Sequence, residues 1–267
     1  MSEHQHVAVH GASGRMGQAV LRAAPLEASI RISAALVRPG SALIDTPLRR
    51  ILGAHAPDLE FRAALDPDAR VDALIDFSGS HAFDGALALA LQRRAAFISG
   101  TTGLGDTQQA ALERASRSIP VLWASNFSMG VALLTRFARM AARALPDWDC
   151  EIVEMHHRRK ADAPSGTALT IGEAIADARA TALKEHLTHG RNGIVGARPE
   201  GEIGFHALRG GDVVGDHSVL FASEGERLEL SHRAGNRDIF ARGALLAARR
   251  LALKPPGRYA LDDIFEE

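Results

Sequence analysis

Short apolar runs alternate with segments of helical character through the first half of the chain, and the alternation stops near residue 125. Residues 7–10 form an apolar run that opens into Gly11-Ala12-Ser13-Gly14-Arg15-Met16-Gly17, and 18–24 continue with helical character, so the stretch reads as strand, glycine turn, helix. Further strands are expected at 30–37, 71–78, 95–99 and 120–124. The run at 71–78 is almost continuously apolar, as in a parallel sheet buried on both faces. Helices expected at 82–94 and 107–118 complete a βαβ rhythm. Between the strands at 30–37 and 71–78, the stretch 41–70 is punctuated by Pro47, Pro57 and Pro67 and reads as connections with one short strand near 59–61.

After a hinge-like turn at 125–130 the pattern changes. A long amphipathic helix is expected at 131–145, a strand at 150–155 and a polar, glycine-containing loop at 181–201. Runs at 203–208, 213–221 and 226–232 follow, with Arg209-Gly210-Gly211-Asp212 as a turn between the first two. This succession is antiparallel in character, and the last run alternates polar and apolar as a half-exposed strand does. A terminal helix is expected over 237–253. The fold class is therefore α/β: a Rossmann-like parallel-sheet domain over 1–127, an α+β domain with a mixed sheet open on one face over 128–236, and a C-terminal helical segment over 237–267. An open sheet face commonly packs on its symmetry mate, so a homo-oligomer is expected.

Composition narrows the function. With 267 residues, 46% of them hydrophobic, the chain can build a substantial core. A net charge of −1 and a pI near 6.9 provide no global field for nucleic acid or an acidic membrane, so any anion binding is local. The single cysteine, Cys150, excludes an internal disulfide and fits a reducing compartment. Residues 1–6 lack a basic region followed by an apolar core, and no apolar run approaches the ~20 residues of a membrane span; an unprocessed cytoplasmic protein is expected.

Two stretches carry chemistry. The first is the glycine turn, a Gly-x-x-Gly-x-x-Gly variant of the dinucleotide fingerprint. Glycine there permits a tight turn, close approach of backbone to a pyrophosphate and close helix packing, with phosphate on the helix N-terminus. A site that grips the adenosine ribose usually has Asp or Glu at the end of the second strand, but this chain reads Val37-Arg38. A guanidinium without a carboxylate suits a 2′-phosphate, so NADPH is favoured over NADH.

The second stretch runs from Glu154 to Thr167: Glu-Met-His-His-Arg-Arg-Lys-Ala-Asp-Ala-Pro-Ser-Gly-Thr. The strand before it delivers His156 and His157 to its C-terminal end, and Ser165 is placed to cap the next helix, whose free amides can hold a carboxylate or phosphate. Histidines can move protons near neutrality, while Lys160 serves as a fixed charge or as an acid. The pattern suggests proton transfer on a small anion. A metal reading of His156, His157 and Cys150 fails because adjacent strand histidines point to opposite faces and no third ligand has a supporting spacing.

The order His-His-x-x-Lys followed by Ala-Pro-Ser-Gly-Thr resembles the signature of the 4-hydroxy-tetrahydrodipicolinate (dihydrodipicolinate) reductase family, and the likeness extends over essentially the whole chain through the Gly11–Gly17 loop, Arg209-Gly210-Gly211-Asp212 and Gly215-Asp216-His217. The resemblance implies NAD(P)H-dependent reduction of that cyclic imine dicarboxylate to tetrahydrodipicolinate in diaminopimelate and lysine biosynthesis. It implies His156 as proton donor or relay, Lys160 pairing with a carboxylate and helping protonation, His157 binding substrate, and Ser165, Gly166 and Thr167 holding the other carboxylate. Arg158 and Arg159 are expected to face outward. For the cofactor it implies the whole glycine loop with Arg38, and Phe77, Gly100, Thr101, Thr102, Ala124, Ser125, Asn126 and Phe127 toward the nicotinamide. It implies a homotetramer built through the open sheet, and a terminal helix that returns to cover the dinucleotide domain. Many members of the family carry an acidic residue where this chain has Val37. A semialdehyde dehydrogenase needs a catalytic thiol, and Cys150 lies inside an expected strand. A redox-sensing regulator needs no proton donors.

Overall fold

A computed structural model describes residues 4–265; residues 1–3, part of the stretch read for a leader, and 266–267, the tail of the C-terminal segment, lie outside the described residues. The chain divides into two compact units, Met1–Phe127 with Asp238–Glu267, and Ser128–Arg237.

The first unit follows the alternation of the sequence. Strands β1 (Gln5–His10), β2 (Ile30–Leu36), β3 (Phe61–Arg62), β4 (Ala73–Asp76), β5 (Ala96–Ser99) and β6 (Pro120–Trp123) alternate with α1 (Arg15–Ala23), the short α2 (Leu48–Leu52), α3 (Ser80–Arg93) and α4 (Asp106–Ala115). Every pairing is parallel. The order β6-β5-β4-β1-β2-β3 reverses direction of growth between β1 and β4, the point where open α/β sheets bind their ligands. Leu74, Phe97 and Val121 pack with Phe83, Leu87 and Leu112 of α3 and α4.

In the second unit, α5 (Met129–Ala144), β7 (Asp149–His156), α6 (Gly166–Ala178), α7 (Leu183–His186), β8 (Leu187–His189), β9 (Ile203–Arg209), β10 (Asp216–Ser223) and β11 (Glu226–Arg233) form one mixed sheet backed by helices. Its order is β11-β10-β7-β9-β8. Alternate residues of β7, from Cys150 to His156, are buried, and Ile152 packs with Val219, Phe205, Leu134 and Ile171 on the helical side. Glu151, Val153 and Met155 on the other face are only half-buried.

The antiparallel reading of 203–208 is corrected: β9 runs parallel to both β7 and β8 and is separated from β10 by β7. The glycine turn after β9 resembled a hairpin, but Gly210 N–H donates to the His156 carbonyl and so closes the ends of β7 and β9. Among the described residues only β10 and β11 make a true hairpin, around Gly225 at φ +84°. The loop expected at 181–201 contains α7 and β8.

Two final elements return to the first unit. Helix α8 (Asp238–Leu251) buries Ala241, Ala244, Leu245 and Ala248 and packs on α1 and on β4, β5 and β6. Gly243 lets it approach so closely that a side chain there would collide with the Phe127 carbonyl oxygen. Strand β12 (Gly257–Tyr259) then pairs parallel with β6 as a seventh strand, which the sequence reading missed. Among the described residues no helix is long and apolar enough to cross a membrane.

Candidate active site

In the first unit the glycine turn joins β1 to α1. Gly11 adopts φ +75°, and a side chain there would meet the Phe77 backbone, so glycine is required by both conformation and space. Gly17 is packed against the Gly11 carbonyl and the Ala12 backbone. Ala12 is fully buried, leaving only its backbone for a ligand. Helix α1 begins at N-cap Gly14 with no side-chain cap, so no side chain blocks its positive end. These features fit a dinucleotide pyrophosphate. At the end of β2, Val37 is buried and Arg38 exposed.

The ends of β4, β5 and β6 bring together several expected nicotinamide residues. The Phe77 ring lies against Gly100, where a side chain would strike it, and meets the Phe127 ring edge-on at 5.6 Å between centroids. Trp123 Nε1 donates to the Thr101 carbonyl at 2.8 Å. Thr102 and Ser125 are exposed and Asn126 half-buried.

Beneath these residues is a charge that sequence reasoning missed. Asp76, fully buried, receives donors from His10 Nδ1 (3.0 Å), Ser78 N (3.2 Å), Ser78 Oγ (2.6 Å), Ser99 Oγ (2.9 Å) and Thr101 Oγ1 (2.7 Å). Burial opposes its charge, but the donors from His10, Ser78 and Thr101 outweigh burial and hold the carboxyl below its usual range.

In the second unit His156 ends β7 on the helical side of the sheet, with its Nδ1 2.6 Å from Glu154 Oε2. Glu154, 1% exposed, is the hub: it also accepts from Ser165 N at 3.1 Å and from both terminal nitrogens of Arg209 at 2.7 and 2.8 Å. Burial opposes the Glu154 charge, and Arg209 and His156 more than compensate, so this carboxyl too titrates below its usual range. Arg209 further donates to the Asp162 carbonyl at 2.7 Å, tying down the loop that carries Lys160. Glu154 and Arg209 both stand in motifs that the sequence reading quoted, but it gave neither a role at the site. Gly215 is tight against His156 Nε2: a side chain there would lie 2.9 Å from it.

Ser165 caps α6 as expected, accepting from Ala168 N at 3.2 Å, and its hydroxyl also meets His217 Nε2 at 3.1 Å. Gly166 is exposed and Thr167 half-buried at the start of the helix. Lys160 Nζ pairs with the exposed Asp162 carboxylate at 2.8 and 3.0 Å, a partner that an anion can replace. His157 is half-buried, and desolvation followed by the charge of Arg237 lowers its pKa. Arg158 and Arg159 are exposed. The second unit thus gathers His156, His157, Lys160 and Ser165 on one strand end, one loop and one helix start. Burial pushes the Cys150 thiol up to about 12, which removes the nucleophile that a semialdehyde dehydrogenase would need.

A parallel sheet with a glycine turn at its switch point, joined to a unit that carries proton-transfer groups beside a serine-capped helix start, defines a nucleotide-dependent oxidoreductase. The family models described as the N-terminus and the C-terminus of dihydrodipicolinate reductase match residues 5–127 and 130–265. The chain belongs to the dihydrodipicolinate reductase family, whose members work with a pyridine nucleotide. A 4-hydroxy-tetrahydrodipicolinate reductase of Stenotrophomonas maltophilia is 48% identical over 261 residues, covering 97% of this chain and 96% of the relative. One from Xanthomonas campestris pv. campestris is 46% identical over 260 residues with the same coverage. Among solved structures, the dipicolinate-bound dihydrodipicolinate reductase from Paenisporosarcina sp. TG-14 superposes with a TM-score of 0.75 at 25% identity, covering 96% of this chain and 97% of that one.

His217 is 2% exposed, and burial, then the neighbouring His156, push its pKa from 6.5 down to about 4. It stays neutral in the fold while the unfolded chain takes up a proton below pH 6.5. Its contribution is therefore present above pH 6.5 and is lost as pH falls toward 4. Urea unfolding at about pH 7.5 and about pH 5 is expected to show a drop of about 2 kcal/mol from this group. In His217→Asn that part of the drop disappears; an equal drop in both proteins would refute the assignment.

Proposed function

We propose that the chain catalyses NAD(P)H-dependent reduction of 4-hydroxy-tetrahydrodipicolinate to tetrahydrodipicolinate, the step of diaminopimelate and lysine biosynthesis that its family implies. The observation that carries the reading is the Glu154-centred arrangement, which holds His156 and the capped start of α6 on one carboxylate. The bound nucleotide supplies the hydride; the chain supplies the proton and the charge complementarity.

In this reading His156 is the proton donor or relay, because Glu154 holds its Nδ1 and leaves Nε2 for transfer. Lys160 exchanges Asp162 for a substrate carboxylate and stabilises charge that develops on the ring. The amides of Ser165, Gly166 and Thr167 hold the other carboxylate, and His157 contributes a donor. On the nucleotide side, the Gly11–Gly17 turn receives the pyrophosphate, while Phe77, Gly100, Thr101, Thr102, Ala124, Ser125, Asn126 and Phe127 surround the nicotinamide end. Arg38, exposed beside buried Val37, meets the 2′-phosphate and favours NADPH. The half-buried face of the second sheet, with Val153 and Met155, is where copies meet to form a homotetramer.

NADPH oxidation at about 340 nm with freshly generated substrate is expected to show turnover, and His156→Ala and Lys160→Ala each to lose roughly 10²-fold or more in kcat with nucleotide binding retained. Wild-type protein that binds NADPH but never oxidises it would instead mark a sensor. Arg38→Ala should raise KM for NADPH about tenfold while leaving that for NADH nearly unchanged; a parallel change in both would sink the 2′-phosphate role. Sedimentation of the purified chain should give a tetramer, and a monomer at micromolar concentration would remove the sheet-face assembly.

A further inference from the structure

Asp76 does more than join segments: its five donors leave it no capacity to impose an alternative hydrogen-bond direction on its neighbours. An ionised carboxylate only accepts, so Ser78 Oγ, Ser99 Oγ and Thr101 Oγ1 must each spend their single hydroxyl proton on it. For the same reason His10 must carry its proton on Nδ1, which makes Nε2 an acceptor when the ring is neutral. Ser99 is fully buried and receives Thr101 N at 3.2 Å, and Thr101 is itself buried, so neither of these two hydroxyls faces a ligand. Ser78 is half-buried and the His10 side chain is 21% exposed, and both stand at the ends of the two strands that flank the switch point.

We propose that Asp76 is a positioning residue that locks His10 and Ser78 into an acceptor-only wall, selecting a ligand that presents hydrogen-bond donors there: the carboxamide N–H group or the ribose hydroxyls of the nicotinamide riboside half of the cofactor. The proposal rests on the assignment of Phe77, Gly100 and Thr101 to that half. A phosphate, which offers acceptors and negative charge, is disfavoured beside a buried carboxylate, in keeping with the pyrophosphate sitting on the glycine turn. Replacing Asp76 by Asn puts a donor among the donors and frees the hydroxyls to turn their protons outward, which inverts the wall.

The test is direct binding of nucleotides to the intact chain, measured as Kd for wild type, Asp76→Asn and Ser78→Ala. The probes are NADPH, its reduced 3-acetylpyridine analogue, which lacks the amide N–H, an analogue with 2′-deoxyribose on the nicotinamide side, and adenosine 2′,5′-bisphosphate, which lacks that half altogether. Wild type should prefer NADPH to one of the two analogues by about tenfold, the effect of one unpaired acceptor, and the analogue that suffers identifies the donor. In both variants that ratio should shrink to within about threefold, with the bisphosphate Kd unchanged. Ratios that stay at the wild-type value, or a loss shared equally by NADPH and the bisphosphate, would make Asp76 a structural residue only. If Asp76→Asn fails to fold, Ser78→Ala decides alone. No binding of NADPH to wild type would instead overturn the nucleotide assignment itself.

Discussion

The second unit depends on a carboxylate that water does not reach. Glu154 stands next to the end of a core strand, and an unpaired charge at that depth would be strongly unfavourable. It is tolerated because its donors come from three different places: His156 on its own strand, Ser165 at the start of α6, and Arg209 at the end of β9. Each partner is thereby oriented by the same charge. A loop rich in cations is held in one geometry because Arg209, committed to Glu154, also grips the Asp162 carbonyl.

The local parts of this arrangement were legible in the sequence. A β-compatible run ending in two histidines, and a serine three residues before an amide it caps, are patterns that involve neighbouring residues only, and the structure has both. The partner of Glu154 was not legible, since Arg209 lies 55 residues away and looked like the first residue of a hairpin turn. The same limit hid Asp76, which sat in an apolar run as an apparent exception while His10 and Thr101 converge on it from 66 and 25 residues away. Parallel pairing of β9 was missed for a related reason: a turn advertises its own chemistry but not which strand its amides close on. Strand β12 is three residues long and carries no periodicity to read.

Both units use a buried acid in the same manner. Each sits at a strand end, each is kept ionised by converging donors against the effect of burial, and each dictates the direction of hydrogen bonds in the groups around it. The difference is in the donors. Asp76 draws on hydroxyls and an imidazole, whose protons it turns inward, whereas Glu154 draws on a guanidinium, an imidazole and an amide, in a neighbourhood rich in positive charge.

The return of the chain to its first unit has a consequence for how the protein is made. Helix α8 covers β4, β5 and β6, yet it leaves the ribosome after the entire second unit. Until then the nascent first unit has an apolar sheet face without its helix and β6 without its outer neighbour. The second unit is contiguous in sequence and can complete its core during translation, while the first cannot bury that sheet face until α8 has been made. The close seat of α8 on the Phe127 carbonyl, at Gly243, therefore forms only once the whole second unit has been synthesised.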